Sequence, residues 1–157
     1  MKNLIIPYTP IPIPSKGAQQ SKVIYAPLLE TFLHYQKYQT NFSFHSLVDS
    51  GADFCVFPAQ FGELIGLEIE EGECIPTMSV GGIEMLYLHD IRVGIKIRND
   101  IWYFHCRAGF SKRMNKKGTG FLGRNGFFDL FEEITFNENK RMLRIKGEFE
   151  AKELSFD

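Results

Sequence analysis

Alternation of apolar and polar side chains sets the character of this chain. Ile91, Val93, Ile95 and Ile97 interleave with Arg92, Gly94, Lys96 and Arg98, the period-two signature of a strand with one wet face. After a turn at Asn99-Asp100, Trp102, Phe104, Cys106 and Ala108 continue the pattern on a return strand. Residues 41–48 alternate likewise, with Phe42, Phe44 and Val48 on one face, and extended structure resumes over 54–57. Runs at 75–80 and 83–88 flank Gly81-Gly82, and paired glycines between strands suit a hairpin turn whose two central residues take positive φ. A last hairpin is predicted from 134–136 to 142–145, around Asn137-Glu138-Asn139-Lys140. Helical spacing is confined to Phe61, Leu64 and Ile65 within 59–67, where Gly66 is a stop signal. One or two further helical turns fit 125–131. Many short strands and few short helices predict an all-β, closed or partly closed sheet.

Residues 1–22 depart from this pattern and read as a proline-rich arm. Pro7, Pro10, Pro12 and Pro14 interrupt its apolar stretch, which favours extended or polyproline II backbone at an edge, at an interface or in an unstructured segment. Residues 15–21 are polar and linker-like. The interruptions argue against a secretory signal, and no run approaches the roughly 18 apolar residues that span a bilayer. The expected organisation is the arm, one domain over 23–147, and a tail over 148–157.

Composition adds little to this picture. With 44% hydrophobic and 24% charged residues in 157, the chain resembles an ordinary globular protein able to bury a core. Fifteen phenylalanines point to a large aromatic core or an apolar interface. A net charge of −1 gives no reason to expect nucleic acid or membrane lipid as partner. Three cysteines without paired spacing, Cys55, Cys74 and Cys106, suit a reducing, cytoplasmic setting.

The candidate chemistry lies at Leu47-Val48-Asp49-Ser50-Gly51-Ala52-Asp53, an acidic elbow between a strand and an apolar run. A carboxylate at such a turn can be held beside a second one, and two carboxylates sharing a proton form an acid/base pair for hydrolysis. The elbow occurs once, so a catalytic partner must come from another copy of the chain. Other chemistries fit less well. His45, His89, His105 and the cysteines show no metal-ligand spacing, and His105 and Cys106, adjacent on a strand, point to opposite faces. Buried thiols and half-exposed histidines are expected instead. No cysteine sits at an elbow with an evident activating base. Lys112, Arg113, Lys116 and Lys117 read as a solvated basic loop, and Trp102 as core.

With the elbow, the glycine-tipped hairpin and the later Gly120-Phe121-Leu122-Gly123-Arg124-Asn125 in that order, the chain resembles the retropepsin-like aspartic peptidases over roughly residues 24–146. The resemblance implies an all-β acid-protease subunit, barrel-like, with one or two short helices and a flap hairpin. It implies an aspartic endopeptidase acting as a homodimer on a peptide or protein substrate, without cofactor or metal. Asp49 would be the catalytic carboxylate, with Ser50 and Gly51 in support. Ser50 would brace the two elbows, and Gly51 would let substrate backbone approach. Ala52, Asp53, Gly81 and Gly82 would line the substrate site, the glycines at the tip of the flap. Asp53 and Arg124 would form a structural ion pair, and Leu122 and Gly123 would pack beneath the elbow. In the viral members both termini build the dimer sheet, whereas this chain has an extra arm and tail. Two alternatives keep the same fold: a catalytically silent module for peptide binding or dimerisation, and a protease processing only itself or a single client.

Overall fold

The computed structural model describes residues 2–14, 17 and 22–148. Most of the linker-like segment and of the tail therefore lies outside the described residues. The strands are β1 (Lys2–Pro7), β2 (Thr9–Ile13), β3 (Lys22–Ala26), β4 (Leu28–Tyr35), β5 (Tyr38–Gln39), β6 (Phe44–Val48) and β7 (Val56–Pro58). They continue, after helix α1 (Ala59–Leu64), as β8 (Glu73–Ser79), β9 (Gly82–Ile97), β10 (Asp100–Ser111), β11 (Gly120–Leu122), β12 (Glu133–Asn137) and β13 (Met142–Gly147). Single 3-10 turns at Ile69–Glu71, Arg113–Lys116 and Phe128–Leu130 complete the helical content.

The expected closed all-β architecture is present. The sheet order β4-β6-β11-β7-β10-β9 returns to β4 through its pairing with β9, giving a closed six-stranded barrel. Closure removes sheet edges from the middle of the molecule. A three-stranded sheet, β1-β13-β12, and a two-stranded ribbon, β2-β3, lie outside the barrel. The apolar arm is thus strand in its described part: β1 pairs antiparallel with β13 along its whole length.

Aromatic side chains fill much of the core. Phe57, Phe110 and Phe127 are fully buried with Leu29, Leu33, Ile95 and Leu122. Phe44 meets Phe57 edge-on at 5.9 Å between ring centroids, and the tilted ring of Phe61 at 4.8 Å. Burying each large apolar side chain contributes about 1.5–3 kcal/mol. Trp102 is buried as expected. Gly62 keeps α1 against this core, since a Cβ there would sit 2.8 Å from the Phe110 ring.

Several local expectations need correction. The helix stops at Leu64 rather than Leu67. Phe42 is not on β6 but precedes it, partly exposed, with its ring edge-on to Phe61. The runs at 83–88 and 91–97 are one strand, β9. Its buried face switches phase between Leu88 and Ile91 while pairing with β10 runs on without a bulge, so the sequence reads as two strands. The turn after β9 is Arg98-Asn99, because Ile97 pairs with Asp100 and Arg98 takes φ of 59°. In the β8–β9 hairpin Ser79 pairs with Gly82, which places Val80 and Gly81 at the tip. Of these only Gly82 has positive φ, at 106°. Val80, β-branched, could not share a primed turn at tolerable cost.

Candidate active site

Strand β6 ends at Val48 and hands Asp49 to the turn. That position is clamped from two sides: Asp49 N donates to Leu122 O at 3.0 Å, and Val48 N to Pro27 O at 2.9 Å. β11 runs parallel to β6, with Phe121 beside Leu47 and Leu122 beside Val48. Leu122 is fully buried. The Asp49 carboxylate then shapes its own turn, since Oδ1 accepts the Gly51 N–H at 2.9 Å and the Asp49 carbonyl accepts from Ala52 at 3.2 Å. Short acidic side chains commonly cap their own turns in this way. Asp49 is half-buried, whereas Ser50 and Gly51 are exposed.

The descending limb of the elbow lies against residues 123–125. Arg124 N donates to Ala52 O at 2.9 Å, and Asn125 N to Asp53 O at 2.8 Å. The Asn125 side-chain amide donates to the same Asp53 carbonyl at 2.7 Å, and Phe54 and Asn125 form a parallel bridge. Backbones approach so closely that a Cβ on residue 123 would meet Phe54 O at 2.2 Å and Ala52 O at 2.8 Å. Glycine is therefore required there by space alone.

Asp53 and Arg124 form an ion pair across this contact. Their side chains are 62% and 58% exposed, so the pair stabilises by at most about 1 kcal/mol in this setting. Beneath the elbow Cys55 and Cys106 are buried and their thiols hydrogen-bond to each other. That bond, and then burial, push the Cys106 thiol well above its ordinary range. Cys74 is exposed, contrary to the expectation of buried thiols. His105 is exposed and Cys106 buried, on opposite faces of β10.

The structure brings Asp49, Ser50, Gly51, Ala52 and Asp53 together with Leu122, Gly123 and Arg124. Gly81 and Gly82 are carried on the separate β8–β9 hairpin. Its tip is apolar and exposed, with Met78 85%, Ile83 65% and Met85 46% accessible. Sequence reading missed what anchors it. The Ser111 hydroxyl donates to Glu84, and the Arg113 guanidinium donates to Ile83 O at 3.3 Å. The basic segment is therefore not merely solvated, and Lys112 also pairs with Glu70. Asn125 was likewise visible in its motif, but its side-chain bond to the elbow was not. Among the described residues no group of three or more His, Cys, Asp or Glu side chains could hold a metal, and no helix is long and apolar enough to cross a membrane.

No protein-family model matches the chain, and no curated protein matches it. Among solved structures it is similar to the crystal structure of a retropepsin-like aspartic protease from Rickettsia conorii. The two share 12% sequence identity and a TM-score of 0.55, over 92% of this chain and 89% of that one. The fold is that of a retropepsin-like subunit.

Proposed function

We propose that the chain is an aspartic endopeptidase whose active site forms between two copies, each contributing Asp49. The observation that carries this reading is the double clamp on the main chain that bears a single carboxylate. Asp49 sits at a strand end tied to Leu122 and, through Val48, to Pro27, with its elbow backed by Gly123. Such fixation is what a proton-sharing pair requires, because its members must be held close rather than drift apart.

Two carboxylates about 3 Å apart cannot both stay ionised, so the pair keeps one proton. The ionised member draws a proton from a water held between them. The water oxygen attacks the scissile carbonyl carbon while the protonated member donates to the carbonyl oxygen, giving a neutral tetrahedral intermediate. On collapse the carboxyl that took the water's proton gives it to the leaving amine, the C–N bond breaks, and the other carboxylate regains its proton from the intermediate's hydroxyl, so the pair again holds one. The two apparent titrations belong to the pair. Ser50, exposed beside Asp49, would reach across to the second elbow, and Gly51 would leave room for substrate backbone. The β8–β9 hairpin, with Val80 and Gly81 at its tip and Gly82 beside them, would cover an extended peptide and exclude water. Its exposed Met78, Ile83 and Met85 favour apolar substrate side chains.

Cleavage of a peptide library by the wild type and by Asp49→Asn tests the reading. The variant should fold and associate as the wild type does and lack cleavage. Cleavage persisting in Asp49→Asn overturns the mechanism.

A further inference from the structure

If two copies must meet at Asp49, some surface has to bring them together, and we infer that the outer edge of β3 is that surface. It would pair antiparallel with the same strand of a second copy. This rests on the two-subunit reading above and adds the contact that assembles it.

In an antiparallel ladder, residue pairs alternate between those that exchange both N–H···O bonds and those that exchange none. β2 pairs with β3 as Thr9 with Ala26, Pro10 with Tyr25, Ile11 with Ile24, Pro12 with Val23 and Ile13 with Lys22. Proline has no N–H, so the pairs containing Pro10 and Pro12 are those that exchange none. The N–H and C=O groups of Val23 and Tyr25 accordingly point away from β2. β2 is the only strand paired with β3 among the described residues, which leaves that edge open. The outer edge of β2 is different, since it lacks donors at Pro10 and Pro12 and cannot take a strand in the same way.

Within β3 as described, one register pairs every outward group of the open edge. Pairing Val23 with Tyr25 of a second copy, about a two-fold axis at Ile24, brings both outward residues of both strands into bonding pairs and closes four main-chain hydrogen bonds. Pairing Tyr25 with its own copy would instead set Val23 against Pro27, which has no N–H. In the favoured register Lys22 lies opposite Ala26, so the lysines do not oppose each other. The side chains suit burial, with Val23 49%, Ile24 47% and Tyr25 39% exposed in the single chain. The ribbon is also anchored. The Arg141 guanidinium lies 3.7 Å from the Tyr25 ring centroid, and Tyr8, buried beside β2, donates through its hydroxyl to Glu138 at 2.8 Å.

Position selects this edge over others. β1 and β12 also have free edges, but β3 leads through Pro27 directly to the elbow. Pro27 O accepts the Val48 N–H, and Leu28 pairs with Leu47. Ile24 is therefore only about 10 Å of extended chain from the clamp on the catalytic strand, so one two-fold axis can pass beside both. β13, the last strand, has both edges occupied by β1 and β12. A dimer sheet using it would have to displace one of them.

The test combines association, crosslinking and cleavage, in a Cys74→Ser background to remove the exposed thiol. Val23→Pro removes an outward N–H without touching the bonds between β2 and β3. It should raise the dimer Kd about tenfold or more and lower cleavage at dilute protein, with recovery at high concentration. Ile24→Cys should form a disulfide-linked dimer with oxidised glutathione, because facing residues of a non-bonded pair lie about 4.5 Å apart at Cα, within disulfide range. Val23→Cys should not crosslink. A wild type that dimerises and cleaves, with Val23→Pro unchanged in Kd and Ile24→Cys uncrosslinked, overturns the β3 pairing and leaves the peptidase reading standing. If Val23→Pro fails to fold, the crosslink alone decides. A wild type that stays monomeric at every concentration overturns both.

Discussion

Replacing Gly123 by alanine tests how tightly the elbow is backed. The added methyl would lie 2.2 Å from Phe54 O, 2.5 Å from Phe54 C and 2.8 Å from Ala52 O. These are backbone atoms, which cannot rotate aside, so the segments 52–54 and 123–125 must separate by about 1 Å to reach ordinary contact. Separation weakens two bonds, Arg124 N to Ala52 O and Asn125 N to Asp53 O. Overpacking costs about 1–3 kcal/mol and each impaired bond about 0.5–1.5 kcal/mol, so the expected loss is about 2–6 kcal/mol. Against a typical folding free energy of about 5–15 kcal/mol, that is a large fraction. Denaturant unfolding followed by Trp102 fluorescence measures it. Gly81→Ala is the control, because its nearest neighbours are 3.8 Å away and its φ is not positive. Should the two variants unfold within about 0.5 kcal/mol of each other, the close backing of the elbow is refuted.

Arg124→Ala should lower stability by less than about 1 kcal/mol in the same assay, since its ion pair with Asp53 is exposed and its backbone bond to Ala52 remains. A larger loss would mean that the guanidinium supports more than one carboxylate. His34 is buried on β4, and burial, then the nearby Arg92, lower its pKa from 6.5. The unfolded chain thus binds a proton there before the folded chain does, so stability present above pH 6.5 is lost as pH falls towards the depressed folded value. In acid titrations followed by circular dichroism, His34→Gln should show a shallower fall from pH 6.5 downward than the wild type. Equal slopes would remove His34 from the account.

Much of the barrel was legible because its strands carry strict alternation on one buried face, as at Ile91, Val93, Ile95 and Ile97. β4 escaped notice although Leu29, Thr31 and Leu33 alternate inward. Apolar Leu28 and Phe32 interrupt the pattern, since β4 is paired on both sides with other strands and is largely covered. The β8–β9 turn lies one residue earlier than its sequence suggests, because Gly81 and Gly82 look equivalent there, while register puts only Gly82 at positive φ. The elbow and Gly123-Arg124-Asn125 were recognisable as motifs. That Gly123 answers a steric demand from Phe54, and that the Asn125 side chain ties Asp53, depend on contacts across some 70 residues of chain. Such long-range contacts leave no local periodicity.

The central claim, that catalysis needs one Asp49 from each of two subunits, is tested most directly by mixing. Adding an equal amount of Asp49→Asn protein to wild type, with full subunit exchange, should cut peptide cleavage to about half, because only dimers with two intact carboxylates act. Cleavage that stays constant as the inactive variant is added would mean that each subunit works alone, and would contradict the account.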